Sequence, residues 1–138
     1  MANNFAAARS AYNRDSVLSA SPAKLLTMLY DRLLLDLHRA ETAQRDQDWA
    51  TARPHLLHAQ EIVAELEGSL RPELWDGGPG LMSLYGYVHT ALIVANSRHD
   101  IHRTHECVTL LEPLRTAWHE AAQSVAVQQN ANRTDAVG

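Results

Sequence analysis

The stretch that decides the fold is Ser21-Pro22-Ala23-Lys24-Leu25-Leu26-Thr27-Met28-Leu29-Tyr30-Asp31-Arg32-Leu33-Leu34-Leu35-Asp36-Leu37. Its opening pair is a helix start: a hydroxyl that caps, then a proline at the first helical position, where its missing N–H costs nothing. Behind it Leu25, Leu26, Leu29, Tyr30, Leu33, Leu34, Leu37 and Ala40 recur every three or four residues, which gives one broad apolar face. The pattern predicts a helix running to about Arg45. Asp46 to Asp48 form a polar break, and Asp48 is placed to cap whatever follows.

The same grammar continues toward the C-terminus. Leu56, Leu57, Ala59, Ile62, Val63, Leu66 and Leu70 predict a second helix, in which Pro54 lies beyond the first turn and should bend the helix or move its start. Residues 71–80 hold Pro72, Gly77, Gly78, Pro79 and Gly80, the clearest loop signal of the chain. A third helix is expected from about Leu81 to Ser97, on Leu81, Leu84, Tyr85, Val88, Leu92 and Ala95. Asp100 caps a fourth, whose face is Val108, Leu111, Leu114, Ala117, Trp118, Ala121 and Val125, with a kink at Pro113. No stretch alternates as a strand does. Helices of this length joined by short connections pack as antiparallel neighbours, so the expected fold is all-α, an antiparallel four-helix bundle. Residues 1–15 are Ala-rich with only Phe5 and Tyr12 as large apolar groups. From Gln128 the chain is polar and is expected to be disordered.

Composition excludes several functions. The 138 residues are 46% apolar and 20% charged, with a net charge of −4; that is one domain's length, and too apolar for a disordered chain. A nucleic-acid binder needs a basic patch to neutralise phosphates, and here the arginines are dispersed and Lys24 is the only lysine. Cys107 stands alone, which fits a reducing compartment. The longest apolar run, at Leu33 to Leu35, is closed by charges and far shorter than the ~20 residues of a membrane span. No basic start precedes an apolar core near Met1, so no secretory leader is expected. These features point to a soluble cytoplasmic domain without membrane insertion.

No constellation carries catalysis or a cofactor. His99, His102 and His105 step by three, as do His55 and His58, but each such step turns about 60° around a helix, so three cannot converge on one ion. They read as solvated polar-face residues. A dimetal carboxylate bundle requires Glu-x-x-His twice, and this chain has none. Cys107 lacks an organised base, and the glycines at 77, 78 and 80 lack the lysine and the strand–loop–helix setting of a phosphate loop. What remains is surplus apolar surface. Met28 and Leu35, then Met82, Tyr87, Ile93 and Val94, lie off the main stripes of their helices and must bury against something: the N-terminal segment, or another polypeptide received in a groove. Tyr85 and Tyr87 diverge by about 160° around a helix, so only one faces the core, and Tyr87 is the one expected outside.

Taken in order, these residues resemble the flagellar secretion chaperone family, FliS. The likeness is carried by Ala11-Tyr12, Val17, Ser21-Pro22 and Lys24-Leu25 through Met28-Leu29-Tyr30-Asp31, then Ala59 to Leu66 and Ser69-Leu70. It resumes at Leu84-Tyr85, Tyr87, Leu92, Ala95-Asn96, Asp100 and Glu106, and closes at Leu114-Arg115, Ala117-Trp118 and Glu120-Ala121. The resemblance implies a non-enzymatic cytoplasmic chaperone of type III flagellar export. Its client would be the C-terminal segment of flagellin, disordered when free and helical once wrapped around the bundle. Binding would block premature polymerisation, and the export gate protein would contact the complex.

On that resemblance the chain divides into an N-terminal cap segment over 1–15, mobile or a short helix, a bundle over 16–126 and a disordered polar tail over 127–138. Tyr12 holds the place of a capping tyrosine exchanged on client binding. The implied groove and cap comprise Tyr12, Val17, Ile62, Leu66, Leu81, Leu84, Tyr85, Tyr87, Val88 and Leu92, with no cofactor, no metal and no nucleic acid, and with a weak homodimer left open. Four places depart from the usual pattern: Arg32 for a glycine, Arg71 for an aspartate, Gly86 for an aspartate between the tyrosines, and Thr90-Ala91 where basic residues precede the leucine. The competing reading is a metal- or ligand-binding bundle using the histidines, and a third is a purely structural oligomer.

Overall fold

A computed structural model describes residues 22–137, with side chains to Arg133; Tyr12, Val17 and the cap segment 1–15 lie outside the described residues. Among these the chain forms four helices and no strand: α1 (Pro22–Arg45), α2 (Trp49–Ser69), α3 (Gly78–Ser97) and α4 (Ile101–Val137), with a 3-10 turn at Pro72–Leu74 before α3. The fold is all-α, as the periodicity predicts. Two compact units divide the chain: Asp31–Glu112, and the remainder, of which 22–30 and 113–137 are described.

Two three-residue turns share one construction. Each places a residue in the left-handed region after the helix, Gln47 at φ 57° and His99 at φ 54°. The following amide reaches back across the helix end, Asp48 N to the Ala43 carbonyl at 2.9 Å and Asp100 N to the Ala95 carbonyl at 3.0 Å. These bonds satisfy carbonyls that the ended helix leaves open. The same aspartates then cap the next helix: Asp48 accepts from the Thr51 amide, and Asp100 from the amides of His102 and Arg103. Both helix starts therefore fall where the sequence places them.

Two boundaries differ from expectation, those of α3 and α4, while α2 keeps its expected start. Pro54 lies inside α2 without moving its start, because the Asp48 cap fixes the first turn and the carbonyl that proline leaves unpaired, that of Ala50, is at an exposed position. Helix α3 begins at Gly78 rather than Leu81, since Pro79 occupies the first turn, where proline is tolerated. Helix α4 runs through Val137, so residues from Gln128, expected as a disordered tail, are helical and, to Arg133, exposed. Extending a formed helix fixes one residue per new hydrogen bond, and no proline or glycine interrupts 114–137.

Within Asp31–Glu112 the core is built from Leu33, Leu37 and Ala40 of α1, Leu56, Ala59, Val63 and Leu66 of α2, Tyr85, Val88, Leu92 and Ala95 of α3, and Cys107 and Leu111 of α4. Each fully buried leucine contributes about 1.5–3 kcal/mol. Polar pairs set the register. His58 bonds Asp36 and His89 bonds Glu67, so α1 and α2, then α2 and α3, run antiparallel about their turns. His105 meets Glu41 and His38 meets Glu112, so α4 descends α1. In the other unit Tyr30 is fully buried, and Trp118 meets its ring edge-on at 6.3 Å and 65°.

Candidate partner-binding surface

Helix α3 is the anomaly of the chain. A fifth of all residues are charged, yet none of its 20 residues is Asp, Glu, Lys or Arg. Its inner face, at Leu81, Tyr85, Val88, Leu92 and Ala95, is buried. On the opposite side Ser83, Gly86, Thr90 and Ser97 fall within about 60° of one another around the axis, and the two flanks are Tyr87 with Val94 and Met82 with Ile93. Tyr87 is 44% exposed and Ile93 48%, whereas Met82 and Val94 are half-buried. The result is a low line of small residues between two apolar ridges, facing outward without a charge. Among the described residues a side chain at Gly86 would meet nothing within 4 Å, so no packing among them accounts for a glycine in mid-helix.

Tyr87 is tied at its polar end. Its hydroxyl donates to Glu106 Oε1 at 2.5 Å and accepts from Arg103 Nη1 at 3.0 Å, and Arg103 bonds Glu106 at 3.2 Å. The bond to Glu106 raises the Tyr87 pKa, and the same bond lowers that of Glu106. The phenol thus keeps its proton while the carboxylate keeps its charge. Arg103 and Glu106 sit three apart on α4 and so reach α3 from one side. Elsewhere Leu74 and Trp75 stand exposed in the α2–α3 connection, and Leu35 and Leu57 on α1 and α2.

The residues expected to line a groove divide by burial. Ile62, Leu66, Leu81, Tyr85, Val88 and Leu92 face the interior of Asp31–Glu112, Leu84 is half-buried and Tyr87 is exposed. The structure therefore brings eight of the ten around α2 and α3; Tyr12 and Val17 are not described. The expectation that Tyr85 points in and Tyr87 out agrees with their 2% and 44% exposure.

His99, His102 and His105 are exposed, as a solvated polar face requires. Several histidines are also paired: His38, His55, His58, His89 and His105 each approach a carboxylate on another helix, and His99 stacks on Trp49 with centroids 4.4 Å apart. Asp36 is fully buried between Arg32, four residues along α1, and His55 and His58 of α2. Spacing within one helix carries no signal of such pairs, which depend on the facing helix. Among the described residues no group of three His, Cys, Asp or Glu is placed to hold a metal ion. Cys107 is buried, and burial pushes its thiol up to about 12. No helix among them is long and apolar enough to cross a membrane.

Compared with known families, residues 2–125 match the one described as flagellar protein FliS. The chain belongs to the FliS family. Its similarity to the flagellar secretion chaperone FliS of Bacillus subtilis is 30% identity over 114 residues, covering 83% of this chain and 85% of that protein. With the FliS of Escherichia coli it shares 32% over 117 residues, 83% and 86% of the two chains, and with that of Campylobacter jejuni 30% over 132, 94% and 100%. A crystal structure of a bacterial flagellar chaperone superposes with a TM-score of 0.68 at 17% identity, covering 84% of this chain and 98% of that one, and so shares the fold. The departures from the usual FliS pattern at Arg32, Arg71, Gly86 and Thr90 all fall at exposed or half-buried positions, and only Ala91 is buried. Four of the five alter the surface, and Ala91 joins the core.

Proposed function

We propose that this protein is a cytoplasmic, non-enzymatic export chaperone that binds the C-terminal segment of flagellin, prevents its premature polymerisation and delivers it to the flagellar type III export apparatus. Proteins similar to it over most of their length are named flagellar secretion chaperones. The observation that carries the reading in this chain is the uncharged outer face of α3, left exposed in a protein that is otherwise well charged. A segment that folds on binding loses conformational entropy and offsets it with a long apolar contact. The outer face supplies such a contact at Tyr87, Val94 and Ile93, with Leu57 of α2 as a further exposed leucine. Leu84 and Tyr87 are accessible as they stand. Ile62, Leu66, Leu81, Tyr85, Val88 and Leu92 meet client where the surface above them opens. Tyr12 and Val17 are proposed to cap the groove in the free protein, and the export gate protein to engage the loaded complex.

Titration calorimetry with a C-terminal flagellin peptide, paired with circular dichroism, tests the reading. Binding accompanied by a gain in helicity is expected; no heat at peptide concentrations up to about 1 mM, equivalent to a free energy weaker than about −4 kcal/mol, refutes it. Tyr12→Ala should leave the bundle folded and change client affinity, and an unchanged affinity removes the cap. Stabilisation by Zn²⁺ without peptide binding would favour the histidine-based alternative.

A further inference from the structure

Three long side chains held in one geometry on a protein surface are an unusual expense. Arg103 and Glu106 are exposed enough that their ion pair contributes little to stability, because water screens it and both chains give up rotamer freedom. Yet both are used on one atom, the Tyr87 hydroxyl, whose hydrogen and lone pair are thereby occupied. No residue of α3 near that ring is Asp, Glu, Lys or Arg: Val94 lies two turns along on the same flank, and Ser83, Gly86 and Thr90 line the outward centre.

The chemistry of a tyrosine in such a place is divided. Its ring is a large, stiff apolar surface, whereas its hydroxyl resists burial unless every bond it loses to water is replaced. When an apolar partner covers Tyr87, a free hydroxyl would be stranded. Here its donor and acceptor partners come from α4 of the same molecule. The ring can therefore be covered without stranding a polar group, and it is already ordered, so covering it costs little further side-chain entropy.

We propose that Arg103 and Glu106 are positioning residues that hold Tyr87 as a preformed anchor for the apolar, uncharged face of a client helix docking along the outside of α3. The proposal rests on the flagellin-binding reading above and names the feature of the client that this face selects. It requires a client helix with small or aliphatic residues toward α3 and no ionised group over the Ser83–Gly86–Thr90 line, where α3 offers such a group no charged partner. A client residue that bonds the Tyr87 hydroxyl is not needed.

The test is a double-mutant cycle in the full-length protein, with dissociation constants for the C-terminal flagellin peptide measured by calorimetry and folding monitored by thermal melts. Glu106→Ala removes the acceptor and should weaken binding about five- to tenfold, with a much smaller change in melting temperature. Glu106→Gln, which keeps an acceptor, should recover most of that loss. Tyr87→Phe should weaken binding about two- to threefold through the loss of fixed orientation. In the Tyr87→Phe background Glu106→Ala and Arg103→Ala should then have no further effect, since no hydroxyl remains to satisfy. If the single effects multiply instead, Glu106 or Arg103 touches client directly and the positioning role is overturned. If all variants bind as tightly as the wild type, the anchor is overturned while flagellin binding stands. A wild-type protein that binds no peptide overturns the flagellin reading and the anchor with it.

Discussion

Replacing Gly86 by alanine separates what this helix needs for folding from what it needs for binding. Gly86 occupies the ninth position of a 20-residue helix, where glycine is disfavoured against alanine by about 0.8–1.0 kcal/mol because it loses more backbone freedom on folding. That gain is realised only if the added methyl meets no obstacle, and among the described residues a Cβ at this position has no neighbour within 4 Å. The φ angle is not positive, so no strain opposes the change. The structure thus predicts that Gly86→Ala stabilises the protein by about 1 kcal/mol, or about 3–5 °C in Tm for a chain of this size. Urea unfolding followed by circular dichroism measures it directly. The same methyl stands in the middle of the outward line Ser83–Gly86–Thr90, so affinity for the flagellin peptide should fall as stability rises. A destabilised Gly86→Ala protein would refute the claim that the space above this glycine is empty. A stabilised variant with unchanged affinity would show that client does not approach α3 at this point.

Other consequences follow from buried and capping groups. Asp36 is fully buried while its partners Arg32, His55 and His58 keep some access to water, so Asp36→Ala should cost about 1.5–3 kcal/mol in a urea titration; a cost below about 1 kcal/mol would show that these bonds contribute little. Cys107, with its thiol pushed up to about 12 by burial, should resist a thiol reagent at pH 8 in the folded protein and react at once in denaturant. Rapid labelling of the native state would contradict its placement. The bonds from Thr51 lower the Asp48 pKa below the ordinary carboxylate value. A depressed carboxylate stabilises the fold above its unfolded pKa and loses that contribution as pH falls through the folded one. Asp48→Asn, which keeps a capping oxygen but cannot titrate, should therefore flatten the acid limb of stability against pH below about 4; an unchanged limb would assign that limb to other carboxylates.

Most helix ends were legible because the signals that fix them are local. The Asp48 and Asp100 caps and the stops near Arg45 and Ser97 each depend on a few consecutive residues. The start of α3 was less so, since Gly78-Pro79-Gly80 reads equally as a loop and as a first turn that tolerates proline. The polar segment after Gln128 misleads for a related reason. Polarity removes a tertiary partner, but an existing helix can still extend through it. At the candidate surface, the outward turn of Tyr87 relative to Tyr85 is a matter of helical phase and can be counted along the chain. Its bonds to Arg103 and Glu106 cannot, because they depend on how α3 and α4 are set against each other.

The sequence by itself therefore determined the four helices, their order, the charge-free run from Gly78 to Ser97 and the resemblance to FliS. Tertiary structure alone decided which of the off-stripe apolar residues stay outside, that Asp36 and Glu41 are buried opposite histidines, and that α4 lends its charges to a tyrosine of α3. Periodicity and capping act over one or two turns and are written in adjacent residues. The partner of a side chain 19 residues away, as Glu106 is from Tyr87, follows from helix register, which the whole core fixes together.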